Sequence, residues 1–352
     1  MTGACVRALE PFTMQTSDPT RTPLRLEPAL VERPWGGRRL VDLPRAAPPP
    51  DGPVGEAWLA GPDTRAVPAN DGRADPADPA GPTATLGGLA ATLGEAFVGS
   101  APFARYGARM PLLVKLLDAV ETLSVQVHPD DAYALSAERA SGHLGKTEAW
   151  LIIDAAAHAS VAWGWRRAVS RDEVRDAVAA GALETLLRQL PVTPGDVVVN
   201  EAGVVHAVGP GIVLYELQQA SDLTYRLYDF DRRDAAGRAR DLHVDKALDV
   251  ARLTPAGPAA PPLPLAPGRQ RLATTDAFRM ERWTLGREAA PLEHAWQVEP
   301  RSLELWTVLE GAATLAWEGG RCALERFESV ALPARLGPAR WRGDAVLVRG
   351  TA

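Results

Sequence analysis

Apolar positions fall into regular patterns from residue 111 onward. Residues 111–119 (PLLVKLLDA) run apolar almost without a break. Residues 123–129 (LSVQVHP) alternate, with Leu123, Val125 and Val127 on one side and Gln126 and His128 on the other; both segments read as strands. Residues 130–142 (DDAYALSAERASG) read as one helix, N-capped at Asp130 or Asp131 and ended at Gly142. AWLIIDA and ASVAWGW read as the two strands of a hairpin. Residues 170–190 read as helical, opened by a capping box of Ser170 and Glu173 and closed by Pro191. Residues 195–218 are β again, punctuated by glycine.

The flanks are less regular. Residues 1–20 have no hydrophobic period and read as a disordered leader. Residues 43–55 and 61–83, rich in Pro, Gly, Ala and Asp, read as surface loops around a short apolar piece at residues 56–59; residues 84–107 read as short helices. The Pro-rich stretch 254–268 reads as a linker. Beyond it, residues 269–352 read as short strands with turns at Glu310-Gly311, Gly319-Gly320 and Gly343-Asp344, a small all-β barrel or sandwich. GDVVVNEAGVVHAV and FESVALPARLGPARW share one shape: an apolar strand, a tight turn, another strand. The expectation is mainly β, with two related barrels and a few inserted helices. A leader spans 1–20, a catalytic unit 21–253, a linker 254–268 and a degenerate second barrel 269–352.

Composition narrows the function. With 46% hydrophobic residues the 352-residue chain can bury a core, and its net charge of −6 argues against a nucleic-acid partner held by bulk positive charge. Two cysteines, Cys5 and Cys322, are too few for a disulfide framework and read as free thiols in a reducing cytosol. No run approaches the ~20 apolar residues of a membrane span, and the N-terminus lacks a signal-peptide core. A cytoplasmic protein without membrane contact is expected, as monomer or homodimer. Among 38 basic residues only Lys115, Lys146 and Lys246 are lysine. Where arginine serves for surface charge, a retained lysine marks a place for a compact or titratable ammonium, which singles out Lys146 beside Glu148.

On a strand, Gln126 and His128 project to one face. Glu148 opens the next strand and His206 follows the tight turn at Ala202-Gly203. Two imidazoles, a carboxylate and an amide oxygen on adjacent strands make a mixed N/O metal site; zinc suits it, and Fe(II) or Mn(II) are chemically admissible. His143, His158, His243 and His294 read as structural. Residues 195–206 follow the second cupin motif, G-x5-P-x-G-x2-H, with Glu201 in place of proline. Gln126-x-His128 resembles the first motif with Gln for its first His.

PLLVKLLDAVETLSVQVHPDD, GKTEAWLIIDA, AGVVHAVGPGIVLYELQQASDLTYRLYDFDR and LHVDKALDV, with PWGG at 34–37 and GEAW at 55–58, resemble the bacterial class I phosphomannose isomerases of the cupin superfamily, from about residue 24 to 252 and more loosely beyond. The resemblance implies two cupin-like jelly-roll barrels and the interconversion of mannose 6-phosphate and fructose 6-phosphate through an enediol. It implies one Zn2+ on Gln126, His128, Glu148 and His206, a catalytic Arg226, and Lys146 beside the glutamate ligand. Asp222 is a candidate to orient Arg226 or act as base. Beside a divalent cation the Lys146 pKa should fall. Trp35, Glu216 and Gln218 are candidate substrate contacts; Gln219 is a further candidate for sugar hydroxyls, and Trp58 for the pocket lining. Lys146, Asp222 and a metal-bound water all stay open as the base. Leu59 stands where the family motif is acidic, and Glu201 where it has proline. A sugar-binding cupin without activity, an isomerase of another sugar phosphate and an iron-dependent oxygenase are the alternatives. A guanylyltransferase is disfavoured because no Gly-rich nucleotide loop precedes a helix. In the second barrel Pro338 stands at the ligand position, so no metal is expected there.

Overall fold

The computed structural model describes residues 18–69, 84–233, 237–257, 260–287 and 290–352. Cys5 and most of the expected leader lie outside the described residues. Strands dominate, and every described pairing between named strands is antiparallel. They form three sheets. The first has six strands, in the order Val197–Asn200, Glu148–Ala155, Ile212–Gln219, Leu112–Ala119, Ala29–Gly37 and Val54–Ala60, with the last also pairing to Leu112–Ala119. The second has five, in the order Leu187–Pro191, Ser160–Trp165, His206–Val208, Val125–Val127 and Tyr225–Tyr228. The third has eleven and carries the C-terminal strands.

The six-stranded sheet is the centre of the molecule because both its faces are buried. Every residue of Leu112–Ala119 and Ile212–Gln219 is buried, which is why the first of these reads as an almost unbroken apolar run rather than as alternation. One face (Leu117, Trp150, Ile152, Val198, Leu214) packs on Val161, Trp163 and Val208 of the five-stranded sheet, closing the first barrel. The other (Leu112, Val114, Leu116, Leu151, Tyr215, Leu217) packs on Met280, Leu303, Leu305 and Val348 of the C-terminal unit. The second barrel has its own core around Trp283, Trp306, Trp341 and the buried Cys322.

Several expected elements take another form. Glu148–Ala155 and Ser160–Trp165 are both strands, but they do not pair as a hairpin; they lie in the two opposed sheets. Each is buried on both sides, so its partner is set by packing rather than by the short connection. The helix expected over 130–142 stops at Ser136 and continues as a 3-10 turn at Arg139–Ser141, ended by left-handed Gly142. Its N-cap is Asp130, whose side chain accepts from Tyr133 N. The helical region at 170–190 is helical only over Arg171–Ala179, with a 3-10 turn at Leu183–Leu186; Leu187–Pro191 is an edge strand ending at its proline. Ser170 caps as expected, while the Glu173 carboxylate turns to Arg167, so the box is half made. The loop expected at 61–83 contains the strand Arg65–Pro68; residues 70–83 are outside the described set. Three short helices fill 86–106 as expected.

In the C-terminal unit the Gly319-Gly320 turn is present, but Gly311 and Gly343 are not turns. Each lies inside a fourteen-residue strand, Glu304–Trp317 or Pro338–Thr351, with Gly311 opposite Ala345 and Gly343 opposite Ala313. Gly311 has φ +69, and a Cβ there would sit 2.0 Å from the Asp344 carbonyl oxygen, so glycine permits a tight bend where a break was expected. Within the Pro-rich segment, Leu263–Ala266 adds a strand to the same sheet. The N-terminal strand Leu24–Glu27 pairs with Ser329–Leu332, so the third sheet draws on both ends of the chain.

Candidate metal centre

The site forms where the two sheets of the first barrel face each other. His206 pairs with Gln126 on the next strand, and Gln126 pairs with Arg226 on the strand beyond. Residues paired across antiparallel strands share a face, so His206, Gln126 and Arg226 form one row. Opposite stands a second row on the six-stranded sheet, where Glu148 pairs with Gln218 on one side and Asn200 on the other. Glu148 therefore arrives across the barrel rather than from an adjacent strand as the alternation implied.

The chain around these residues is held by its own polar groups. The loop before Glu148 is pinned by Gly145 N donating to Asp131 Oδ1 (2.9 Å), Lys146 N to the Pro129 carbonyl (2.9 Å) and Thr147 N to Gln219 Oε1 (2.9 Å). His206 follows a turn whose Gly203 has φ +88 and whose Cβ would lie 2.9 Å from the Val250 carbonyl oxygen. Only glycine suits both demands.

The ligand atoms of His128, Glu148 and His206 all lie within 4.8 Å of one another, and all three residues are buried. His128 Nδ1 donates to the Leu223 carbonyl (2.8 Å) and His206 Nδ1 to the Val204 carbonyl (2.9 Å). Each ring thus carries its proton on Nδ1 and turns the lone pair of Nε2 inward, the tautomer a metal ligand needs. His206 Nε2 lies 3.2 Å from Glu148 Oε1, yet Oε1 has no hydrogen-bond partner. Two lone-pair atoms face each other at that distance, an arrangement a cation between them would relieve. Gln126 Nε2 lies 3.4 Å from His206 Nε2; rotating the amide by half a turn puts its oxygen in the same place. This donor set of two imidazole nitrogens, a carboxylate and an amide oxygen fits a borderline divalent ion.

A second cation already serves the cluster. Lys146 Nζ donates to Glu148 Oε2 (2.7 Å) and to His128 Nε2 (3.0 Å). Lys146 precedes the strand rather than sharing its face, and reaches Glu148 from the loop. Burial disfavours its ammonium, but Glu148, Glu216 and Asp222 outweigh that and raise its pKa. The lowering expected from a neighbouring metal is thus opposed by three carboxylates. Burial would raise Glu148 too, yet the Lys146 ammonium holds it well below the usual carboxylate range. Burial, followed by the Lys146 charge, pushes His128 well below an ordinary histidine, keeping it neutral.

Around the centre the expected residues divide. Glu216 is buried, accepts from Trp150 Nε1 (2.9 Å) and lies 3.7 Å from Lys115; burial and the Glu148 charge raise its pKa. Gln218 donates to the carbonyls of Gln219 (2.8 Å) and Ser221 (2.7 Å), leaving Oε1 unpartnered. Arg226 donates from Nη1 to the Asp241 carbonyl (2.9 Å), not to Asp222, and its Nε is buried without a partner. Burial and the nearby Arg240 charge lower its pKa. Asp222 is exposed at the rim. Gln219 faces away from the cluster, donating to Tyr106 Oη (3.1 Å) and Asp131 Oδ1 (2.8 Å). Trp35 is 3% exposed and packs in the barrel core with Leu117 and Trp150. Lys115, which sequence reasoning passed over, is buried on the site face between Glu56 (3.8 Å) and Glu216 (3.7 Å), with its ammonium over the Trp58 ring. Its signal was the scarcity of lysine. Asn200 was missed as well, and nothing in its surroundings marked it.

Residues 24–149 match the family described as phosphomannose isomerase type I, catalytic domain. The chain is 37% identical over 240 residues to the mannose-6-phosphate isomerase of Streptococcus mutans serotype c, an alignment covering 68% of this chain and 73% of that protein. It is 40% identical over 235 residues to the mannose-6-phosphate isomerase ManA of Bacillus subtilis, covering 66% and 68%. A crystal structure of a mannose 6-phosphate isomerase from Bacillus subtilis superposes with a TM-score of 0.76 at 31% identity, covering 94% of this chain and 99% of that one. A zinc-bound mannose 6-phosphate isomerase structure shares the fold at TM-score 0.69 and 17% identity, with 94% and 99% covered.

Proposed function

The chain belongs to the type I phosphomannose isomerase family and is a mannose-6-phosphate isomerase, and from that premise we propose that His128, Glu148, His206 and the amide oxygen of Gln126 hold one zinc ion at the centre of its reaction. The observation that carries the assignment is the His206 Nε2 lone pair facing the unpartnered Glu148 Oε1 at 3.2 Å, with His128 Nε2 turned into the same buried cluster. We assign the chemistry to residues 21–253 and a supporting role to residues 269–352.

Interconverting an aldose and a ketose moves a proton between C1 and C2 through an enediol. A base must take and return the proton, developing charge on oxygen must be stabilised, and the phosphate must be anchored. Zinc bound here would act as a Lewis acid on the oxygens at C1 and C2. Lys146, held as an ammonium, supplies a second positive charge to the developing oxyanion. Arg226 stands in the ligand row with Nη1 fixed on Asp241, which leaves its Nε edge to grip an oxyanion or phosphate oxygen. Asp222 is the proposed base. It is a carboxylate at the rim, whereas Glu216 and Lys146 are committed to buried partners. Glu216 and Gln218 line the opposite row, where the unpartnered Gln218 Oε1 is a candidate acceptor for a sugar hydroxyl.

The test is a coupled assay with mannose 6-phosphate on protein stripped by chelator and reloaded with zinc. Activity should vanish and return. His206→Ala should retain no zinc. Arg226→Ala and Asp222→Asn should keep zinc and lose turnover, Asp222→Asn by roughly 10²–10⁴-fold. Folded, zinc-loaded protein that retains full turnover in Asp222→Asn would remove Asp222 as base; zinc retention by His206→Ala would remove the metal assignment.

A further inference from the structure

Asn200 ends the strand Val197–Asn200, pairs in register with Glu148, and is 1% exposed. Its side chain therefore shares the Glu148 face, which looks into the first barrel. Both polar atoms of its carboxamide, Oδ1 and Nδ2, are buried without a hydrogen-bond partner. An unsatisfied buried amide is destabilising, and native interiors hold few of them. Beside it Glu148 Oε1 is unpartnered too. On two neighbouring strands paired in register, both amide atoms of Asn200 and one carboxylate oxygen of Glu148 thus lack a hydrogen-bond partner.

Lys146 explains why a second donor is needed. In this structure its ammonium holds Glu148 Oε2 at 2.7 Å and touches His128 Nε2 at 3.0 Å. A divalent ion among the same ligands repels that ammonium, so Lys146 cannot be relied on to fix the carboxylate. A neutral donor is not repelled. Among the described residues, Asn200 is the neutral amide in register with Glu148 on the side away from Gln218, and its nitrogen is uncommitted. We propose that Asn200 is a positioning residue of the metal centre, its amide nitrogen donating to the Glu148 carboxylate and holding it in the orientation that binds the ion. This rests on the metal assignment above.

The test measures zinc affinity by competition with a chelating indicator on full-length protein, together with the melting temperature of the metal-free form. Asn200→Leu should bind zinc about 10–100-fold more weakly. Its metal-free melting temperature should be unchanged or higher, because an unsatisfied amide has been replaced by an apolar group. Asn200→Ala should weaken zinc in the same way and serves if leucine does not fit. At saturating zinc both variants should show the wild-type KM for mannose 6-phosphate. Zinc affinity within twofold of wild type overturns the proposal, and a fall in metal-free melting temperature without loss of zinc affinity assigns Asn200 a structural role instead. A raised KM with unchanged zinc affinity makes it a sugar contact. His206→Ala is the control: if it binds zinc as well as wild type, the metal assignment itself has failed, whatever Asn200 does.

Discussion

Lys146 is the residue on which the electrostatics of the centre turn. Its ammonium is the nearest positive charge to Glu148, and it is buried with it. Removing one partner of such a pair leaves an uncompensated buried charge, typically about 3–5 kcal/mol. Lys146→Met should therefore lower the metal-free melting temperature steeply, and zinc should recover much of the loss by supplying positive charge to the same carboxylate. A calorimetric scan with and without zinc checks this; a variant as stable as wild type without metal would refute it. The candidate ligands were named in the sequence because strand alternation puts Gln126 and His128 on one face and the cupin spacing marks His206; the structure brings His128, Glu148 and His206 together. Lys115 was legible only as one of three lysines in an arginine-rich chain. Trp35 marks the limit of such reading: an aromatic in a motif reads equally as pocket or core, and the structure packs it in the barrel core with Trp150.

At the scale of elements, the six-stranded sheet carries a line of buried charge toward the site. Arg33 holds Glu56 (2.9 Å), Glu56 lies 3.8 Å from Lys115, and Lys115 lies 3.7 Å from Glu216. Burial alone would raise the Glu56 pKa; Lys115, Arg33 and Trp58 Nε1 outweigh it and bring it down from 4.5 to about 2. A folded-state pKa below the unfolded value stabilises at pH above the unfolded value and is lost as pH falls toward the folded one. Glu56 should thus contribute fully above about pH 5, at most about 3 kcal/mol, and progressively less down to about pH 2. Glu56→Gln should be less stable than wild type at pH 7, with the gap closing between pH 5 and 2. Urea unfolding of metal-free protein across that range would show it, and a pH-independent gap would refute it. The strands of this sheet were readable, but their partners were not. A run buried on both faces gives no sign of which sheet it joins, so two neighbouring strands read as a hairpin and belong to opposite sheets. The reverse held at Gly311 and Gly343, where glycine signalled a turn and the long ladder absorbed it as a bend.

The whole molecule is joined more firmly than a linker between two barrels implies. The six-stranded sheet uses its outer face to bury Leu303, Leu305 and Val348, and Leu24–Glu27 is a strand of the C-terminal sheet. Removing residues 269–352 should expose that apolar face and give insoluble protein; a soluble, active fragment would contradict the arrangement. A single atom tests the same joint more finely. Gly99, between the helices Glu95–Val98 and Ser100–Tyr106, touches the C-terminal unit through backbone alone: Ser100 N donates to the Pro300 carbonyl (3.0 Å), Ala101 N to Arg301 (2.9 Å) and Leu303 N to Val98 (2.9 Å). Its φ is +93, and a Cβ would lie 2.5 Å from Ser302 N and Cα. Rigid backbone cannot yield as a side-chain tip would. Gly99→Ala must therefore both strain its own conformation, at about 1–3 kcal/mol, and push the two units apart. Its effect should fall on the joint rather than on the metal centre: a lower melting temperature and faster proteolysis, with zinc affinity per folded molecule unchanged. If Gly99→Ala melts with wild type, the helices and the C-terminal unit are not held by this contact. If it loses zinc while keeping its melting temperature, the joint and the site are coupled in a way the packing does not predict.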